Sequence, residues 1–147
     1  NSLLLYSLAH RESAFQADAV SSAGAIGLTQ VMPSTAAAVL HDLHMDVSAK
    51  EVKDLLREPD LNLLVGSTYL DSMLDRYDDD IVAALFAYNA GSSRVESWLE
   101  RIQDESYESS IDPLRILTIT LSEPRIYARS ILANLFIYER LNSYRLE

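Results

Sequence analysis

Cysteine is absent from all 147 residues of this chain. Without thiols the chain can form no disulfide, no thiolate nucleophile and no cysteine-based zinc site. A domain without cysteine is compatible with the periplasm, but cytosolic proteins often lack cysteine too. The absence therefore excludes three kinds of chemistry and leaves the cellular location open.

Positive charge is scarce, with 12 Lys and Arg against 22 Asp and Glu and a formal net charge of −10. This balance argues against a nucleic-acid partner, because phosphate contacts need clustered Lys and Arg. It also disfavours binding to anionic lipid and gives no electrostatic help in approaching any anionic polymer. An enzyme acting on such a polymer would have to rely on its groove.

Long apolar runs are missing as well. No stretch approaches the roughly 20 residues of a membrane-spanning helix, so we expect no integral membrane segment. The run at 3–6 is too short for a signal peptide and lacks its basic start and cleavage site. Because the chain begins at Asn1, we expect a mature or excised piece. Its length predicts one compact domain over 1–147.

Apolar residues recur at spacings of three and four over most of the chain. This periodicity predicts helices over 2–12, 60–77, 80–88 and 123–142. Loops are predicted at 21–24, around Pro33 and at 91–93, and an exposed acidic connector at 104–112. No alternating segment indicates a sizeable sheet. The pattern therefore predicts a mainly α protein.

Glu12 is the first candidate for chemistry. It follows Leu8 by four positions and Leu5 by seven, so it shares their apolar stripe near the end of the first predicted helix. Desolvation and the negative end of the helix dipole both favour the neutral acid and predict a raised pKa. A raised pKa suits a general acid. Periodicity alone favours a structural role instead, that of a partly buried glutamate paired with an arginine.

Short motifs surround Glu12 and recur later in the chain. A Glu-Ser pair is followed by a serine before Gly-Ala, then by Gly-Leu-Thr-Gln and Met-Pro. These motifs are Glu12-Ser13, Ser21, Gly27-Leu28-Thr29-Gln30 and Met32-Pro33, and the later ones are Ala87-Tyr88-Asn89-Ala90-Gly91 and Glu123-Pro124-Arg125-Ile126-Tyr127. In this order, with the stretch 59–66 between them, they resemble the signature of the soluble lytic transglycosylases. Taken together and in order, these motifs around one glutamate are far more specific than any one of them.

The resemblance implies a mainly α, goose-type lysozyme-like fold: a single helical domain with a substrate groove. It also implies that Glu12 is catalytic and that seven residues bind substrate: Ser21, Gln30, Met32, Tyr88, Asn89, Glu123 and Tyr127. Amide side chains suit sugar hydroxyls and N-acetyl groups. Tyrosines combine a flat apolar face with a hydroxyl. From the residues alone, a cap, a core tyrosine or a bracing Glu-Arg pair would explain several of these positions equally well.

The family acts on peptidoglycan glycan strands. The implied reaction cleaves the bond between N-acetylmuramic acid and N-acetylglucosamine without water and leaves a 1,6-anhydromuramoyl end. No cofactor or metal is implied. The resemblance alone implies that the protein is periplasmic or otherwise exported. It also implies a partner, which would be another domain or the cell-wall machinery. A hydrolase of the same fold and a non-catalytic glycan-binding module remain as alternatives.

Two departures from the family pattern stand out. Thr29 occupies a position where the family usually has Met, which predicts the loss of an apolar contact. Pro124 replaces a common Thr and is tolerated in the first turn of a helix.

His41 and His44 are three apart with acidic neighbours, but no third metal ligand is evident and the segment is predicted to be a loop.

Overall fold

The computed structural model describes residues 2–102 and 113–143. Its helices are α1 (Ser2–Ser13), α2 (Pro33–Asp42), α3 (Ala49–Leu55), α4 (Pro59–Arg76), α5 (Ile81–Ala90), α6 (Ser92–Ile102), a 3-10 helix (Pro113–Thr118) and α7 (Ser122–Ser143). Within these ranges the only β-type pairing is two isolated bridges, Val20 with Ile26 and Ile26 with Val31. The prediction of a mainly α protein is confirmed, and the connector predicted at 104–112 lies outside the described residues.

Four predicted helices agree with α1, α4, α5 and α7 to within two residues at each end. The loop predicted around Pro33 is wrong, because α2 begins at Pro33. The loop predicted at 91–93 is right only for Gly91, because α6 begins at Ser92. Proline and serine favour turns, but they are equally suited to the first positions of a helix. The loop predicted around His41 is also partly wrong, since His41 lies in the last turn of α2.

The chain divides into two compact units, Asn1–Tyr69 and Leu70–Glu147. In the first unit, Leu4 and Leu8 of α1 are buried together with Ile26, Val31 and other apolar residues of the unit. Among the described residues no helix is long and apolar enough to cross a membrane. The expectation of one domain over 1–147 stays a prediction.

The second unit is built on α5, whose residues 82–87 are all buried. α5 packs against α6 and α7, which explains why it carries no polar face of its own. The side chain of Asp80 accepts a hydrogen bond from the Ala83 backbone N–H and caps its N-terminus. Trp98 of α6 is fully buried beside Phe86, and its indole N–H donates to the Thr118 hydroxyl at 2.8 Å.

Candidate active site

Glu12 and Ser13 form the last two residues of α1. Glu12 is half-buried. The Ser13 hydroxyl is buried and lies 3.1 Å from the carbonyl oxygen of Ala9, one turn back, and 2.9 Å from that of Leu28. Ala14 and Phe15 then adopt positive φ angles of 50° and 65°, which end the helix. The carboxyl group of Glu12 thus sits at a helix end that a side chain ties to a distant loop.

The phenyl ring of Phe15 folds back on α1. It stacks on the imidazole of His10, with ring centroids 5.3 Å apart and planes 6° apart, and contacts the Tyr6 ring at 4.6 Å. A positive φ is costly for a bulky residue and persists only where surrounding contacts determine it. These ring contacts supply that support immediately after Glu12 and Ser13.

The segment 19–31 is a tight loop in which the side chains of Ser21 and Gln30 bind the loop's own backbone. Ser21 and Ala25 are joined twice, since the Ser21 N–H donates to the Ala25 carbonyl and the Ser21 hydroxyl accepts from the Ala25 N–H. Gln30, at a φ of 49°, donates from Nε2 to the carbonyl oxygens of Ala19 and Gly27 at 3.1 and 2.9 Å. The nitrogen of the Gln30 amide is therefore used within the loop, and the sugar-binding role of this residue stays a prediction.

Met32 follows this loop and immediately precedes α2. Its side chain is exposed. The next residue, Pro33, occupies the first helical position, where its missing N–H removes a group that would lack a helical partner. An exposed, flexible apolar side chain beside the loop is available for contact with a ligand.

A buried polar residue that sequence reasoning missed lies under this loop. Asn62 of α4 accepts hydrogen bonds at Oδ1 from the backbone N–H and the hydroxyl of Thr29, at 2.9 and 2.7 Å. Its Nδ2 donates to the carbonyl oxygens of Ile26 and Leu56, each at 2.9 Å. The hydroxyl of Thr29, which a methionine would lack, is therefore used in a buried hydrogen bond. The available signal was an asparagine within the leucine-rich start of a strongly periodic helix, because asparagine has a poor helix propensity.

In the second unit, Tyr88 and Asn89 occupy the last turn of α5 and are half-buried. Asn89 lines a surface cavity of about 310 Å³ together with Glu123, and Arg94 of α6 lies in the same lining. The structure thus brings together two residues that lie 34 positions apart in sequence. Arg94 was not selected from the sequence, although it stands three positions after the Ala-Tyr-Asn-Ala-Gly motif.

Tyr127 differs from the other predicted substrate-binding residues, since its side chain is only 2% exposed. It lies on the face of α7 that also buries Ala128 and Ile131. Burial of this kind leaves no ring face for a sugar, so the sugar-packing role predicted for Tyr127 is corrected to a place in the core.

The site residues thus fall into two groups. Glu12, Ser21, Gln30 and Met32 belong to the first unit, and Tyr88, Asn89, Glu123 and Tyr127 to the second.

Across the described residues, no three His, Asp or Glu side chains are grouped so that they could hold a metal ion. His41 and Asp42 are 3.5 Å apart and almost fully exposed. The raised pKa of Glu12 stays a prediction.

Comparison with known proteins identifies the family. The transglycosylase SLT domain family matches residues 1–111. The soluble lytic murein transglycosylase of Salmonella typhimurium is 33% identical over 128 residues, which cover 86% of this chain and 19% of that protein.

Two solved structures share the fold. One is the lytic transglycosylase Slt of Pseudomonas aeruginosa, an inactive mutant with glutamine in place of a glutamate (TM-score 0.81, 31% identity, 97% of this chain and 22% of that one). The other is the 70 kDa soluble lytic transglycosylase of Escherichia coli, with a TM-score of 0.82 and 28% identity. The match covers 96% of this chain and 22% of that one.

The chain spans about a fifth of the length of these relatives. Their similarity confirms the predicted lysozyme-like helical fold. The family match covers both the Glu-Ser motif at the end of α1 and the Ala-Tyr-Asn-Ala-Gly motif of α5. The chain therefore belongs to the transglycosylase SLT domain family.

Proposed function

We propose that this chain is the catalytic domain of a peptidoglycan lytic transglycosylase, with Glu12 as its acid–base residue. The observation that carries the proposal is the placement of Glu12, half-buried at the end of α1, beside a serine that ties this helix end to the Gly-Leu-Thr-Gln loop. A half-buried carboxyl group can reach substrate and is partly desolvated, which favours its neutral, proton-donating form.

The proposed reaction needs one carboxyl group used twice. Glu12 donates its proton to the oxygen that leaves with N-acetylglucosamine while the bond from that oxygen to C1 of N-acetylmuramic acid breaks. The N-acetyl group of the muramic acid stabilises C1. The ionised Glu12 then removes the proton of the C6 hydroxyl, and the C6 oxygen forms the new bond to C1. Glu12 ends protonated, as it began, and no water is consumed.

A single catalytic carboxyl group distinguishes this route from ordinary glycoside hydrolysis, which uses two carboxylates on either side of the bond. The motifs around Glu12 supply no second one. Asp18, the nearest acidic residue downstream, is exposed. The substrate's own hydroxyl therefore takes the part of the nucleophile.

The remaining site residues are proposed to bind the glycan strand. In the first unit these are Ser21, Gln30 and Met32, and in the second unit Tyr88, Asn89 and Glu123. The oxygen of the Gln30 amide and the Asn89 amide suit N-acetyl and hydroxyl groups. Glu123 and Asn89 line one cavity. The effects of Glu123→Gln and Asn89→Ala on substrate binding should therefore be non-additive in the double variant.

We also propose that the chain works outside the cytoplasmic membrane, in the periplasm or an equivalent compartment, as part of a longer exported protein. Its substrate lies there, and its relatives are about five times as long as this chain. Other domains of such a protein, or cell-wall machinery, are the proposed partners.

The experiment is mass spectrometry of soluble products released from purified peptidoglycan by the chain and by Glu12→Gln. The chain should release muropeptides that end in 1,6-anhydromuramic acid. Glu12→Gln should fold normally and lose turnover by about 10²-fold or more, the usual contribution of a general acid–base group. The matched control is Glu58→Gln, an exposed glutamate of the same unit, which should retain activity.

Each other outcome has a defined meaning. Products one water heavier, with reducing ends, would show a hydrolase instead of a transglycosylase. Binding to peptidoglycan without any product would show a glycan-binding module. Substantial activity in Glu12→Gln would remove Glu12 from the mechanism.

A further inference from the structure

The side-chain amide of Asn62 is buried, at 1% exposure, and makes four hydrogen bonds. An asparagine amide has two donor hydrogens and an oxygen with two lone pairs, so this set satisfies it completely. The partners also determine its orientation. The Thr29 N–H can only donate, and the carbonyl oxygens of Ile26 and Leu56 can only accept.

Three of the four hydrogen bonds reach one segment, 26–29, which is at least 33 positions away in sequence. Two glycines make room for this contact. A side chain at Gly27 would overlap the Asn62 amide and the Leu56 carbonyl, and one at Gly66 would overlap Thr29. The amide, the hydroxyl and the two bare backbone positions are therefore complementary in shape as well as in hydrogen bonding.

The segment held by Asn62 also touches the end of α1. Leu28, between the two residues bonded to Asn62, accepts the hydrogen bond from the Ser13 hydroxyl at 2.9 Å. Ser13 is the neighbour of Glu12 in the last turn of α1. On the other side, Gln30 directly follows Thr29. Asn62 thus supports the backbone that connects Glu12 to one of the proposed glycan-binding residues.

We propose that Asn62 is a positioning residue for Glu12, acting through the segment 26–29 and Ser13. This role rests on the proposed function of Glu12 and adds a residue to which the family resemblance assigned no role. Misplacement of a catalytic group by about 1 Å can lower turnover on the order of 10²-fold. A buried amide with four bonds is suited to prevent such movement, because each group left without a partner in the interior is costly.

The sharpest test is Asn62→Asp, because its effect depends on pH. The new carboxyl oxygen faces the carbonyl oxygens of Ile26 and Leu56, to which the amide nitrogen donated. When protonated it can donate to one of them, but when ionised it repels both. Burial raises the pKa of the introduced carboxyl group. The kcat of the variant should therefore lie within about tenfold of wild type at acidic pH. As the carboxyl group ionises, kcat should fall further, on the order of 10²-fold.

A second variant tests the same contact without a new charge. Thr29→Val keeps the shape of the side chain and removes the hydroxyl that donates to Asn62, so kcat should fall several-fold at every pH. Its matched control is Thr68→Val. Thr68 lies on α4, and its hydroxyl donates to the Leu64 carbonyl oxygen of the same helix at 2.8 Å. The control should leave kcat unchanged.

Hydrogen exchange gives a readout independent of activity. The protection factor of the Thr29 amide should fall in Asn62→Asp as pH rises and stay at the wild-type value in Thr68→Val. Circular dichroism at each pH verifies that the variants are folded, and Thr29→Val decides the question if Asn62→Asp does not fold.

A folded Asn62→Asp whose pH profile of kcat parallels wild type would overturn the inference and leave the proposed function standing. Wild-type chain that releases no product would overturn both. An unchanged kcat in folded Thr29→Val would also overturn the inference.

Discussion

The hydroxyl of Ser13 lies 2.9 Å from the carbonyl oxygen of Leu28, fifteen residues further along the chain. The same hydroxyl lies 3.1 Å from the Ala9 carbonyl oxygen within α1. A serine that bonds one turn back is common in helices. The second acceptor, the Leu28 carbonyl oxygen, lies on a distant loop. It therefore couples that loop to the end of α1, where Glu12 lies.

Ser13→Ala removes this coupling and should lower both stability and turnover. The buried Leu28 carbonyl loses a donor, at a cost of about 1–3 kcal/mol in the free energy of unfolding. Ser7→Ala is the matched control, because Ser7 is also buried on α1 and its hydroxyl donates to Leu3, one turn back. Denaturant unfolding and product release should separate the two variants. Equal loss of turnover in both would mean that the Leu28 contact has no special part.

Gly27→Ala should destabilise the chain more than Gly24→Ala. Both glycines have a positive φ, of 83° and 91°, where an alanine costs about 1–2 kcal/mol. A side chain at Gly24 would meet open space, whereas one at Gly27 would overlap Asn62 and Leu56 and add about 1–3 kcal/mol. Thermal and denaturant unfolding measure the difference. Similar melting temperatures for the two variants would contradict the close packing at Gly27.

The pKa of Glu51 should lie below its ordinary value. Ser48 caps α3 and donates hydrogen bonds to the ionised Glu51 carboxylate from its hydroxyl and its backbone N–H, and these lower the pKa. The folded state therefore holds its proton less tightly than the unfolded chain. The resulting stabilisation is present above the ordinary pKa of glutamate and is lost as pH falls through the lowered one.

An NMR titration of the Glu51 carboxyl carbon measures this directly. In Ser48→Ala the hydroxyl is lost, and the Glu51 pKa should move back upward. Glu51→Gln keeps the capping geometry but removes the charge, so this part of the pH dependence should vanish. Identical Glu51 titration in wild type and Ser48→Ala would refute the assigned cause.

Tyr127→Ala should cost about 3–5 kcal/mol in the free energy of unfolding, the range for deleting a buried aromatic ring. Phe136→Ala on the same helix is the control. Phe136 is 70% exposed, so its truncation should change stability by less than about 0.5 kcal/mol. Chemical denaturation gives both values. A Tyr127→Ala variant of normal stability but weakened glycan binding would restore the sugar-contact role.

The sequence was most informative where periodicity and motif coincide. α1, α4, α5 and α7 follow from apolar spacing because each buries one face, or in α5 nearly all of itself. Glu12 followed from its place on the apolar stripe together with the ordered motifs. The starts of α2 and α6 were missed because Pro33 and Ser92 are typical both of loops and of first helical turns.

Asn62 and Arg94 show what local pattern cannot supply. Nothing near Asn62 in sequence announces that its amide will meet Thr29, and Arg94 resembles any exposed arginine until the fold brings it to the cavity that Asn89 and Glu123 line. Tyr127 shows the converse, since a motif tyrosine suggested a surface and the packing of α7 buried it.

The sequence by itself determined the helical class, the family and the identity of the candidate acid, because these depend on spacing along the chain and on residue type. Only the tertiary structure decided which polar groups satisfy one another, as Ser13 does with Leu28 and Asn62 with Thr29. The physical reason is that a buried hydrogen bond depends on two groups far apart in sequence meeting at about 3 Å. No local pattern encodes that distance.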